Sequence, residues 1–64
     1  MSSITINGEP RPLPTRQSLA ELIDALGYKG KRIAIERNGE IVPKSQYATT
    51  LLAAGDRLEI VVAV

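Results

Sequence analysis

Leu58-Glu59-Ile60-Val61-Val62-Ala63-Val64 is the stretch whose reading decides the fold. It is the most apolar run of the chain, and it stands at the very end, where small domains usually turn polar and fray. An apolar strand in that place has to be covered, either by neighbouring strands and a helix or by a docked partner. The run splits by parity, because successive side chains of a strand point to opposite faces. Leu58, Ile60, Val62 and Val64 form one set, expected against a helix. Val61 and Ala63 fall on the other side, where nothing in the chain obviously covers them.

Two hairpins and a helix precede this strand. Ile4-Thr5-Ile6 alternates with the period of a half-buried strand. Asn7-Gly8 follows, the strongest short hairpin signal, because both residues accept the positive φ of a type I′ turn. The returning Glu9-Pro10-Arg11-Pro12-Leu13-Pro14 carries three prolines without N–H groups, so it belongs at a sheet edge. Ser18 and Glu21 have the spacing of a capping box. Leu19, Leu22, Ile23 and Leu26 then make one apolar helical stripe, and Gly27 stands where a helix ends in the left-handed conformation. Ile33-Ala34-Ile35-Glu36-Arg37 alternates again, Asn38-Gly39 turns, and Glu40-Ile41-Val42-Pro43 returns. Arg37 and Glu40 are expected to face each other as an opposite-charge pair. Leu51 and Leu52 are expected to plug the bottom of the core, and Gly55-Asp56 turns into the last strand.

Hairpin, helix, hairpin, short turn and strand give an α+β β-grasp architecture: a mixed sheet of about five strands with one main helix packed on one face. The first and last strands would be parallel neighbours. The central position of the last strand accounts for its nearly continuous apolar character. A single domain over residues 1–64 is expected, since a chain of this length buries only about 60% of its unfolded surface and cannot divide its core.

Composition excludes more than it proposes. There is no His and no Cys, so disulfides, common zinc clusters and the usual nucleophile–base pairs are ruled out. The seven carboxylates are scattered in sequence. The net charge of +1 does not predict nucleic acid or an anionic membrane as a partner. No run approaches the about 18 apolar residues of a membrane-spanning helix. The start does not read as a signal peptide, which sets the expectation of a cytoplasmic protein.

Two surface features remain. Lys29, Lys31 and Arg32 form the one basic cluster. The plainer account is a solvated loop, and the sharper one is a contact for an acidic protein surface or RNA phosphates. Val61 and Ala63 would form a contiguous apolar patch if Ile41 points to the same face. A docking face and ordinary apolar surface are equally compatible with that pattern.

Ile4-Thr5-Ile6-Asn7-Gly8-Glu9, Leu19-Ala20-Glu21-Leu22-Ile23 with Leu26-Gly27, the segment from Ile33 to Pro43, and Gly55-Asp56-Arg57-Leu58-Glu59-Ile60-Val61 occur in one order along the whole chain. In this the sequence resembles the ThiS family, the small ubiquitin-like sulfur carrier proteins of thiamin thiazole synthesis. The resemblance implies a carrier and not an enzyme, with no bound cofactor and no metal. A partner adenylating enzyme would use ATP to activate the C-terminal carboxylate. Sulfur would replace the adenylate to give a thiocarboxylate, and thiazole synthase would receive it. The family's tail ends in Gly-Gly, which suits a thread without side chains. The sequence here ends at Val64, so Val62, Ala63 and Val64 are assigned as the base from which such a tail would project. Ile41, Val61 and Ala63 are assigned to partner binding. Two other readings stay open: a sulfur-donating small subunit of molybdopterin synthase, and a β-grasp binding or regulatory module without covalent chemistry.

Overall fold

The computed structural model describes residues 2–13 and 16–63. Pro14 of the expected proline-rich strand and Val64 of the expected tail base lie outside the described residues. Five strands form one sheet: β1 (Ser2–Ile6), β2 (Glu9–Leu13), β3 (Ile33–Arg37), β4 (Glu40–Ile41) and β5 (Arg57–Val62). Their order is β2-β1-β5-β3-β4. β5 runs parallel to β1 and antiparallel to β3. This is the mixed β-grasp sheet expected from the element order, with the last strand at its centre.

Local chemistry explains each boundary. Asn7 and Gly8 have φ of 51° and 85°, and Asn38 and Gly39 have 52° and 87°, the pairs of positive angles that a two-residue hairpin turn needs. Pro10 and Pro12 sit on β2, the outer strand, where missing N–H groups cost least. The helix α1 covers Leu19–Ala25. Its first N–H groups are all satisfied. Ser18 donates its N–H to Glu21 Oε1 at 2.9 Å, and Glu21 returns its N–H to Ser18 Oγ at 3.1 Å. The N–H groups of Leu19 and Ala20 go to the carbonyls of Thr50 and Tyr47. The segment around the 3-10 turn at Lys44–Gln46 therefore caps the helix from outside. The far end closes as a Schellman motif. Gly27, at φ 80°, donates to the Asp24 carbonyl and Tyr28 to the Ile23 carbonyl.

The core lies between α1 and one face of the sheet. Ile4, Ile6, Leu19, Leu22, Ile23, Ile35, Leu58 and Ile60 are all buried in it. Each such aliphatic side chain contributes roughly 1.5–3 kcal/mol when fully buried. With no Phe or Trp available, Tyr28 and Tyr47 pack part of their rings against its margin.

Three expectations need correction. Leu52 is buried, but Leu51 is 47% exposed. Leu51 bridges to Ser18 in extended backbone, and extended backbone sends consecutive side chains to opposite sides, so one of the two leucines must face out. Val62 shares the parity of Leu58 and Ile60 yet is 39% exposed. The β1 register on β5 ends at Leu58, so Val62 has β3 beside it but no strand on the other flank. Arg37 does stand opposite Glu40 in the register, but its guanidinium pairs instead with Asp56, Nε to Oδ2 at 2.9 Å.

Candidate functional site: a braced tail root and an open sheet face

β5 is held at three points along its length. Asp56, just before it, is buried, and its carboxylate accepts from Arg37 Nε, Asn38 Nδ2 and the Ala53 N–H at 2.9, 3.1 and 2.8 Å. Burial pushes this carboxyl up. The Ala53 N–H, the Asn38 amide and the Arg37 guanidinium outweigh that effect and hold it below the ordinary Asp range. Asn38 then turns to the strand itself, accepting the Arg57 N–H on its side-chain oxygen at 2.8 Å and donating its own N–H to the Arg57 carbonyl at 2.7 Å.

The second brace is Asn7. Its backbone N–H donates to the Leu58 carbonyl at 2.9 Å. Its side-chain oxygen accepts the Ile60 N–H at 2.8 Å, and its Nδ2 donates to the Ile60 carbonyl at 3.1 Å. The amide thus acts as one more peptide unit of β1, continuing the parallel ladder after the chain has turned away. Both hairpin-turn asparagines therefore reach the central strand, at Arg57 and at Ile60. Sequence reasoning read them only as turn residues. The available signal was the repeated choice of Asn at the first turn position, where the amide adds hydrogen-bonding capacity that glycine lacks.

The third hold lies where the strand ends. Val62 stands opposite Ile33, and the Ala63 N–H donates to the Arg32 carbonyl at 2.8 Å. The expected tail base is thus fixed to β3 and the loop before it as far as Ala63. Val64 is outside the described residues.

The open face carries the expected partner-binding residues in a specific arrangement. Ile41 and Val61 are 67% and 65% exposed, and Ala63, two residues after Val61, is exposed as well. The register puts Ile41 opposite Glu36, Glu36 opposite Glu59, and Ala34 opposite Val61. Ile41 and Val61 therefore share a face, but β3 runs between them. Glu36 and Glu59 occupy the row that Ile41 heads, and Ala34 and Val61 lie side by side on the next, so a pair of carboxylates borders the apolar residues of this face. Two like charges directly opposite each other weaken a sheet.

Among the described residues no cluster of His, Cys, Asp or Glu could hold a metal ion, and every buried side-chain nitrogen or oxygen has a hydrogen-bond partner. No helix of the described residues is long and apolar enough to cross a membrane.

Comparison with known proteins follows the same line. The structure superposes on the crystal structure of the thiamine biosynthesis protein ThiS from Geobacter metallireducens with a TM-score of 0.84 at 25% identity, over 97% of this chain and 94% of that one. A thiazole synthase of Paramagnetospirillum magneticum is 45% identical over 58 residues, which are 91% of this chain and 18% of that protein. The chain thus spans under a fifth of the length of that relative. An uncharacterized protein, ycf40, of Pyropia yezoensis is 36% identical over 59 residues, 92% of this chain and 83% of its own length. Residues 4–64 match the ThiS family, and with the β-grasp sheet and its braced central strand this chain belongs to that family of sulfur carriers.

Proposed function

We propose that this protein carries sulfur for thiazole formation in thiamin biosynthesis, as a co-substrate of partner enzymes and not as an enzyme itself. The observation that carries the proposal is β5. It is the central strand, tied by the Asn7 and Asn38 side chains as well as by both neighbours, and its end at Val62 and Ala63 is held on one side only. A rigid root with an open flank lets the segment beyond it extend into a partner.

In this reading an adenylating enzyme and ATP convert the C-terminal carboxylate to an acyl adenylate, with loss of pyrophosphate. A sulfur nucleophile displaces AMP and leaves a thiocarboxylate. Thiazole synthase then takes up the tail and the sulfur. The likeness to a segment of a protein named thiazole synthase supports that partner. Ile41, Val61 and Ala63 supply the docking corners, and a cytoplasmic location fits the chemistry. The family's Gly-Gly tail would follow Val64.

Intact-mass measurement tests this on native protein incubated with the adenylating enzyme, ATP and a sulfur donor. A gain corresponding to one sulfur-for-oxygen exchange at the C-terminus is expected. A native chain that is unmodified under these conditions, and that thiazole synthase does not retain, refutes the proposal.

A further inference from the structure

A groove of about 510 Å³ opens on the helix side of the sheet, away from the open face. Its apolar lining comes from Ala20, Ile23, Tyr28, Ile33 and Tyr47. Four cations, Lys29, Lys31, Arg32 and Lys44, line it as well. They are half of the eight basic residues of the chain. None of them forms an ion pair among the described residues, where the one salt bridge is Arg37–Asp56. The two acids of the groove, Glu21 and Asp24, do not neutralise it: two carboxylates stand against four cations, and Glu21 is also engaged with the Ser18 N–H. Lys31 Nζ stands 5.9 Å from the centroid of the Tyr28 ring, a cation–π distance that keeps the ammonium at the groove.

The position of the groove adds the second argument. Ile33, part of its lining, is the register partner of Val62, and Arg32 accepts the Ala63 N–H. The basic groove and the tail root are therefore neighbouring parts of one surface. Any protein that receives the tail passes beside these cations.

We infer that this groove docks an acidic segment of the protein that receives the tail, with carboxylates meeting Lys29, Lys31, Arg32 and Lys44 and an apolar side chain resting on Tyr28 and Ile33. The inference rests on the carrier reading and names a further contact of the same complex. Exposed charges of this kind act chiefly on association rate and its salt dependence. The open face and the groove then have separate tasks: apolar contact on one side, electrostatic capture beside the tail on the other.

The test uses the full chain and measures association with purified adenylating enzyme and with thiazole synthase at low and high salt. Lys29→Glu/Lys31→Glu is compared with Arg11→Glu/Arg16→Glu, which makes the same change in net charge away from the groove. The groove variant is expected to associate about tenfold more slowly at low salt with at least one partner and to lose most of the salt dependence. The control pair should stay near wild type. Equal behaviour of the two variants with both enzymes overturns the inference while leaving the carrier reading intact. Failure of the wild-type protein to bind either enzyme overturns both. Lys29→Ala/Lys31→Ala, with an unchanged thermal melt, replaces the reversal if the latter does not fold. Saturable binding of an RNA oligonucleotide or of ATP at the groove, tighter than either protein, overturns the assignment of its occupant.

Discussion

Replacing Asn7 isolates the contribution of the brace on β5. Its side chain makes two hydrogen bonds to the Ile60 backbone, at 2.8 and 3.1 Å. Each such bond contributes about 0.5–1.5 kcal/mol net, so losing both costs about 1–3 kcal/mol. Asn7 also holds a φ of 51°, which costs an ordinary side chain about 1–2 kcal/mol. Asn7→Gly removes the amide and relaxes the backbone, and is expected to lose about 1–3 kcal/mol. Asn7→Ala loses the amide and adds the backbone strain, for about 2–5 kcal/mol in all. A domain of this length has a total stability of only roughly 3–10 kcal/mol, so the alanine variant stands close to global unfolding and the glycine variant is the informative one. Urea unfolding followed by far-UV circular dichroism gives the stability, and hydrogen exchange reads the Ile60 amide directly. The reasoning fails if Asn7→Gly stays within about 0.5 kcal/mol of wild type and Ile60 keeps its protection.

The other predictions address the core, the helix end, the open face and acid stability. Ile60→Ala, which empties a buried position of the central strand, should cost about 2–5 kcal/mol in denaturant unfolding, and a loss under about 1 kcal/mol would mean the site collapses without penalty. Gly27→Ala meets no atom within 4 Å but keeps a φ of 80°, so it should cost about 1 kcal/mol through backbone strain alone. Val61→Asp should leave the thermal melt nearly unchanged and weaken capture by thiazole synthase, and unfolding instead would show that Val61 is part of the core. Asp56 titrates below its ordinary value near 3.8, so the unfolded chain binds its proton first. The stabilisation from this group is complete above the ordinary Asp range and disappears as pH falls through the lower folded value. Glu21, held low by the Ser18 N–H and hydroxyl, acts in the same sense. Asp56→Asn should therefore flatten the acid limb of the stability curve, measured by urea midpoints from neutral to strongly acid pH.

The fold was legible because its decisive signals are local. Asn-Gly turns, the Ser18 and Glu21 capping pair and Gly27 act within a few residues and formed where the sequence placed them, while the alternation of the strands gave their positions but not all their ends: β4 stops at Ile41 and β5 at Val62. The place of the last strand followed from its two-sided apolarity. What escaped depends on distance along the chain. Asn7 and Ile60 are 53 residues apart, and no local rule gives an asparagine a partner so remote. Arg37 had Glu40 as its near candidate, yet buried Asp56 offers a carboxylate already fixed by other donors, and a fixed acceptor costs less side-chain entropy to engage. The exposure of Val62 depended on where β1 stops, which the alternation of β5 does not encode. The carboxylate pair of Glu36 and Glu59 required the register itself.

The central position of β5 has a consequence for how the chain folds. β1 and β3 do not touch in the sheet, since each pairs with β5. The two hairpins can close early, because their loops are only two residues long, but they remain separate until the last strand enters between them. That step closes the largest loop in the chain, from β1 to β5, and loop-closure entropy makes it the late and slow event. A chain cut before Leu58 keeps both hairpins and the helix sequence but has nothing to join them. Such a fragment would leave its aliphatic face open to proteases. Completion of the sheet and the ordering of its last strand are thus one event.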